Sequence, residues 1–167
     1  MPVNAAGSFN VGRDYSFVFT INGQTITIPN VLVLEVSRKI RAQMHEIIPL
    51  NNDGKPVFRT TYQGYEYDIH LARQNGQMDV LIDALAQNYY QGLVPPTVSL
   101  SETVRNPDQS VDQTMLLAGT IVPESLGAFK SGDPVNDITL KLYFAERNSV
   151  GGASTSAVNL GQASTYL

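Results

Sequence analysis

The stretch VLVLEVSRKIRAQMHEIIPLNNDGKPVFRTTYQGYEYDIHL, residues 31–71, decides the fold. Its opening, Val31-Leu32-Val33-Leu34, is apolar at every position, as in a strand buried on both faces. Beyond it the run turns polar through Arg38, Lys39, Arg41, Gln43 and His45. Residues 49–56, PLNNDGKP, concentrate turn formers, and the chain returns as a second extended run over 57–62. After Gln63 and Gly64 strict alternation resumes, with Tyr65, Tyr67, Ile69 and Leu71 on one face and Glu66, Asp68 and His70 on the other. Gly64 is the expected position of a β-bulge. The pattern describes a long antiparallel hairpin. Its root is apolar enough to join a domain, but its far half, about residues 38–48 and 50–62, is too polar to lie on its own body. Ten extended residues reach about 33 Å, and a two-stranded ribbon of that length is marginal in water unless it docks on something. The helical spacing of Ile40, Met44, Ile47 and Ile48 admits one alternative, a helix over residues 38–48.

Upstream, residues 15–21 and 24–28 flank Asn22-Gly23, the pair that best tolerates the positive φ angles of a two-residue hairpin turn. A two-residue loop sets Phe19 opposite Ile26 and Phe17 opposite Ile28, so apolar meets apolar on one face. Downstream, Met78, Leu81, Ile82, Leu85 and Tyr89 form a stripe at helical spacing. Asn75 stands where an N-cap belongs, and Gly92 with Pro95-Pro96 supplies the stop. Tyr65 and Tyr67 read as strand core and Tyr89 as helix core. Three further strands are expected over residues 97–104, 113–122 and 138–147. Ile138, Leu140, Leu142 and Phe144 share one face of the last. The chain therefore divides into an N-terminal arm (1–13), a β domain (14–147) and a flexible C-terminal tail (148–167) rich in Ser, Ala, Gly, Thr and Asn.

The 167 residues suit a single domain. At 43% hydrophobic the chain can fill a core, whereas 16% charged is low against the roughly 25% usual for globular proteins. That deficit points to surface that meets protein instead of water. The absence of cysteine excludes disulfides and thiolate chemistry. Residues 1–13 carry no basic segment followed by an apolar run, and no stretch approaches the ~20 apolar residues of a spanning helix, so a cytoplasmic origin is expected. The net charge is −4, with seven Lys/Arg against six Asp/Glu in residues 1–73 and four against nine in residues 74–167. Tight nucleic-acid binding needs the opposite balance.

Catalytic patterns are missing. Glu66, Asp68 and His70 project to one side of a strand and could in principle hold a metal, although any half-exposed strand alternates in this way. Ser125, in Glu124-Ser125-Leu126-Gly127, lacks the flanking glycines of a nucleophile elbow. Gly7 to Gly12 has the spacing of a phosphate loop without the following Lys-Ser/Thr. The basic run Arg38-Lys39-Ile40-Arg41 admits a phosphate-contacting role but reads better as an ion-pairing face at a subunit contact.

The order of these elements resembles the tail tube proteins of contractile-tailed phages, which share their fold with the tube protein of type VI secretion. The likeness is carried by the Asn51-Asn52-Asp53-Gly54-Lys55-Pro56 tip, by Gly64-Tyr65-Glu66-Tyr67, by the helix over 78–92, and by Gly119-Thr120-Ile121 through Asp133-Pro134 to the strand over 138–146. It covers roughly residues 9–147 and is architectural, without a signature motif. The resemblance implies a mainly β (α+β) fold: two packed antiparallel sheets forming a barrel-like domain, one α-helix against an open end, and a long protruding β-hairpin. It implies hexameric rings closed by edge pairing and stacked into a tube through the hairpin tip (Asn51, Asn52, Asp53, Gly54, Lys55). Arg38, Lys39, Arg41 and Arg59 would make subunit contacts along the hairpin flank, and Glu66 and Asp68 would face the lumen. The implied partners are further copies of the chain, a tail sheath, and baseplate or terminator proteins. Double-stranded DNA would pass without specific binding, and neither cofactor nor membrane is called for. The implied location is the virion tail, assembled in the host cytoplasm. Two rival readings remain: a related single-ring tail component, such as a terminator, tube-initiation or head-decoration protein, and a small enzyme or carbohydrate-binding β domain using the Glu66/Asp68/His70 face.

Overall fold

The computed structural model describes residues 15–27, 33–50, 53–73, 76–106, 109–129, 131 and 136–150. The N-terminal arm, Ile28, the tip residues Asn51 and Asn52, Asn75, Asp133-Pro134 and the tail beyond 150 lie outside the described residues.

Strands β1 (Tyr15–Ile21) and β2 (Gln24–Thr27) form the expected hairpin, with Phe19 opposite Ile26. Asn22 and Gly23 take φ of 49° and 80°, the left-handed pair that such a turn requires. β3 (Val33–Ile47) and β4 (Val57–Ala72) pair antiparallel along almost their whole length. The helical alternative over 38–48 is therefore overturned, because cross-strand pairing with β4 satisfies a backbone whose side chains alternate. The bulge falls where expected: Arg41 pairs with Gly64 and Ala42 with Tyr62, leaving Gln63 as the extra residue. Strands β5 (Val98–Arg105), β6 (Val111–Ser125) and β7 (Asp137–Val150) complete the β structure. β7 thus continues three residues into the segment expected to be a flexible tail.

One correction concerns the sheets. All seven strands form a single antiparallel sheet in the order β2-β1-β5-β6-β7-β4-β3, in place of two separate packed sheets. β6 and β7 are long enough to run through the bend and hold partners on both layers. β6 bulges against β5, with Ala118 at φ 53° between Leu116 and Gly119. The sheet rolls until its two ends face each other: the Arg38 guanidinium of β3 lies 5.8 Å from the Tyr15 ring of β1, five strands away in the order. Among the described residues no ladder joins those ends, so the roll is an open barrel. Its interior holds Phe17, Phe19, Tyr67, Ile69, Leu71, Val98, Leu100, Leu116, Ile138, Leu140, Leu142 and Phe144, all buried.

Helix α1 (Gln77–Tyr90) follows β4 directly and lays Met78, Leu81, Ile82 and Leu85 on that core. Gly76 occupies the cap position without a side-chain cap bond; Asp79 in the first turn complements the helix dipole and is held by Arg73 at 2.6 Å. The helix ends in a Schellman turn: Gly92 N–H donates to Tyr89 O and Leu93 N–H to Asn88 O, with Gly92 at φ 68°. Tyr89, expected in the helix core, is 78% exposed, because the last helical turn overhangs the barrel mouth.

Gly64 fixes where β4 leaves the body. At φ 103° a Cβ there would lie 2.4 Å from the Phe144 carbonyl oxygen, whereas one at Gly54 (φ 72°) would meet open space. Gly64→Ala should therefore cost at least about 2 kcal/mol in urea denaturation, and Gly54→Ala about 1 kcal/mol, the conformational part alone.

Candidate assembly surface

β4 pairs with β7 only from Tyr65 to Ala72. Residues 57–64 therefore have β3 alone as a paired neighbour, over a length of about 25 Å. Register assigns its two faces. Ile40, Ala42, Met44 and Glu46 with Tyr62, Thr60 and Phe58 continue the core-facing side of the barrel. Arg41, Gln43 and His45 with Arg59, Thr61 and Gln63 make the other, and Gln63 Nε2 donates to Gln43 Oε1 at 3.1 Å. Apart from Glu46 and Thr60, the first face is apolar yet open to solvent: Ile40 is 66% exposed, Met44 65%, Phe58 57% and Tyr62 71%. Both long edges of this ribbon lack a strand partner among the described residues. Asp53 and Gly54 turn the tip with φ of 49° and 72°.

At the root of the hairpin sits a carboxylate that the sequence reading passed over. Glu102 is 1% exposed inside the barrel. Its two oxygens accept from Tyr15 OH at 3.0 Å and Tyr67 OH at 3.1 Å, and Arg38 and Arg147 lie at 3.7 and 3.8 Å. Strands β1, β3, β4 and β7 thus converge on one residue of β5. Burial, reinforced by the negative charge and hydrogen bond of Glu102, pushes the Tyr67 phenol up to about 12 and the Tyr15 phenol higher still. The signal was present in the sequence, since Glu102 falls in phase with Val98 and Leu100 on an apolar face.

The remaining expected residues distribute as follows. Arg38, placed in the expectation on a subunit contact, turns inward to Glu102 and stacks over Tyr15. Lys39 is bonded to Asp68 at 2.7 Å, which raises its pKa, and Arg41 lies over the Tyr143 ring at 5.5 Å. Arg59 is exposed opposite His45 on the hairpin. Glu66 and Asp68 share the outer face of β4, but the Asp68 side chain is only 13% exposed. On the same face Lys141 pairs with Glu124 at 3.0 Å and His70 Nδ1 meets Asp137 Oδ2 at 3.0 Å. Among the described residues no cluster of three metal-ligating side chains forms, since Asp68 and His70 turn to different partners. No described helix is long and apolar enough to cross a membrane.

Two measurements follow from these contacts. Glu102→Ala leaves two buried hydroxyls unsatisfied and two guanidinium groups uncompensated, so it should lower unfolding free energy by about 3 kcal/mol in a denaturant titration. His70 has its pKa raised, first by the hydrogen bond to Asp137, against the opposing effect of burial. A folded-state pKa above the unfolded value means the stabilisation is full below about pH 6.5 and is lost as pH rises through the folded value. His70→Gln should therefore lower the melting temperature more at about pH 5.5 than at about pH 8.5.

No family model matches the chain, and no curated protein does. Solved structures do. A chain of the anti-feeding prophage tube-terminating cap superposes with a TM-score of 0.59 at 12% identity, covering 91% of this chain and 100% of that one. A chain of the anti-feeding prophage baseplate gives 0.57 at 13% identity, covering 89% and 97%. A chain of the sheath–tube complex of an extracellular contractile injection system, in its extended state, gives 0.54 at 12%, covering 82% and 89%. At such identities the likeness is one of fold: a mainly β fold with one helix, as expected, shared with chains of contractile injection assemblies.

Proposed function

We propose that this chain is a structural tail-tube subunit that closes into hexameric rings and stacks into a conduit for DNA in a virion tail. The observation that carries the reading is the hairpin: an apolar strip of Ile40, Met44, Phe58 and Tyr62, exposed to water, on a ribbon with both edges open. Such a ribbon is unstable and sticky in a lone subunit, and a neighbour that covers it removes both problems. The shared fold supplies the context, because its relatives in structure belong to a sheath–tube complex, a baseplate and a tube cap. Edge pairing between β3 of one copy and an open margin of the next would close a ring, and a head-to-tail contact of this kind closes around an axis.

In this reading the role is architectural and not catalytic, and the outer face of β4 lines the lumen. Passing phosphates would meet Glu66 and a mosaic of paired charges, Lys39 with Asp68 and Lys141 with Glu124. Such a surface offers no field to which a polyanion would adhere. Tail sheath, baseplate and terminator proteins are the partners expected at the outer wall and the two ends. The superposition on a tube-terminating cap favours one alternative, a subunit that makes a single ring and stops.

Met44→Asp and Phe58→Asp alter exposed positions and should change subunit stability by no more than about 0.5 kcal/mol. Both should abolish tube formation in negative-stain images of purified protein. Hollow tubes from the unmodified chain support the proposal, discrete rings under every condition favour the terminator reading, and a persistent monomer rejects both.

A further inference from the structure

The sheet forks at one level. β4 parts from β7 beyond the Tyr65–Phe144 pair, while β6 and β7 stay paired from Leu117–Glu146 out to Gln113–Val150. Two irregular strands meet Phe144 there. Gly64 turns β4 at φ 103° and Ala118 bulges β6 at φ 53°. The Phe144 carbonyl leaves no room for a Cβ at Gly64, and the Phe144 ring leaves none at Gly119. Bulges interrupt the ladder and bend the strand that carries them, so the sheet is creased on a line through Phe144. On the hairpin side of that line it becomes two leaves, a narrow one of β3 and β4 and a broad one of β1, β5, β6 and β7. Among the described residues no ladder joins their facing margins, 57–63 and 145–150.

A two-stranded leaf on a creased root is free to swing unless something ties it across the mouth. Glu102, on β5 of the broad leaf, supplies the tie. It accepts from Tyr67 OH of β4 at 3.1 Å and faces the Arg38 guanidinium of β3 at 3.7 Å. Its own leaf adds Tyr15 OH at 3.0 Å and Arg147 at 3.8 Å. Arg147 is fastened to that leaf by Thr114 Oγ1 at 3.5 Å and Ser149 Oγ at 3.3 Å. Tyr67 also stands edge-on to Phe144, ring centroids 5.8 Å apart, so the tie bears on the crease itself. A buried carboxylate is tolerated only while its donors stay close, and here those donors come from both leaves.

We infer that Glu102 is a positioning residue: by holding Tyr67 and Arg38 of one leaf against Tyr15 and Arg147 of the other, it fixes the opening of the fork and the direction of the hairpin. The clamp acts in the lone subunit, whether or not the chain builds tubes. In the tube reading it presents the hairpin preoriented, which lowers the ordering cost of the next contact.

The absence of cysteine permits clean labelling. Nitroxides at Thr61→Cys on the hairpin and Gln113→Cys on β6, both exposed positions, report the opening by pulsed electron paramagnetic resonance in the dispersed full-length subunit. With the clamp intact the expected result is one narrow distance. Glu102→Gln removes the charge at nearly constant shape, and Arg38→Met cuts the tie at a half-exposed group. Each should at least double the width of the distribution, and Arg38→Lys, which keeps the charge, should stay narrower than Arg38→Met. Tyr15→Phe is the control: it loses a hydrogen bond to the same carboxylate inside the broad leaf but keeps the ring beneath Arg38. It should lower the melting temperature and leave the width unchanged. An unchanged narrow distance in Arg38→Met and Glu102→Gln overturns the clamp, and so does equal broadening by Tyr15→Phe, the mark of general loosening. Should Glu102→Gln fail to fold, Arg38→Met against Tyr15→Phe decides alone. Tube formation by the unmodified chain tests the tube reading separately.

Discussion

The departure of β4 from the sheet at Gly64 is the constraint on which the rest depends. From Tyr65 onward β4 is a central strand, held by β3 on one side and β7 on the other. Before it, the same strand has only β3. The glycine permits the change because the bulge needs φ near 103° and the Phe144 carbonyl leaves no room for a side chain. Everything beyond the bulge is a two-stranded ribbon whose core-side face has run out of core. A ribbon of that kind cannot offset its own conformational entropy with the area it buries internally. It needs a second body.

The rolled sheet holds the root of that ribbon firmly. Glu102 gathers Tyr15, Tyr67, Arg38 and Arg147 from four strands at the mouth from which the hairpin projects. A buried carboxylate is costly to desolvate and is tolerated where enough donors converge on it. Here the donors come from strands far apart in the sheet order, so the same contacts that satisfy the charge also close the open barrel. Arg38 links this node to β3, and the arm therefore leaves the body at a defined angle. At the other pole α1 covers the opposite mouth with Met78, Leu81, Ile82 and Leu85 and leaves its aromatic end exposed. The subunit is thus polar along the hairpin axis in shape.

Much of this was legible in the chain because the information is local. Asn22-Gly23 announces a tight hairpin, the alternation from Tyr65 to Leu71 sets the buried face of β4, and Gly64 marks the bulge. The mismatch between a long extended run and its polar content exposed the arm. What was not legible is non-local. Alternation says which face of a strand is inward, but not whether β5, β6 and β7 join two layers into one sheet. Tyr89 lies at the right spacing from Leu85, yet whether core remains beneath the last helical turn depends on where the barrel ends. Arg38 reads as one of a basic run, and only the rolled sheet brings it to a carboxylate 64 positions away in the sequence. Lys39 stands opposite Glu66 in register and reaches diagonally to Asp68, which turns a candidate acidic face into a more balanced one.

The central claim is that the hairpin finds its partner in another copy of the chain, and backbone hydrogen exchange reads this directly. In the dispersed subunit, amides of residues 40–46 and 57–63 should exchange far faster than those of residues 65–71 in the doubly paired half of β4. On assembly the hairpin amides should become protected while the core amides stay as they were. Strong protection of the hairpin already in the dispersed subunit, or no gain on assembly, would contradict the account.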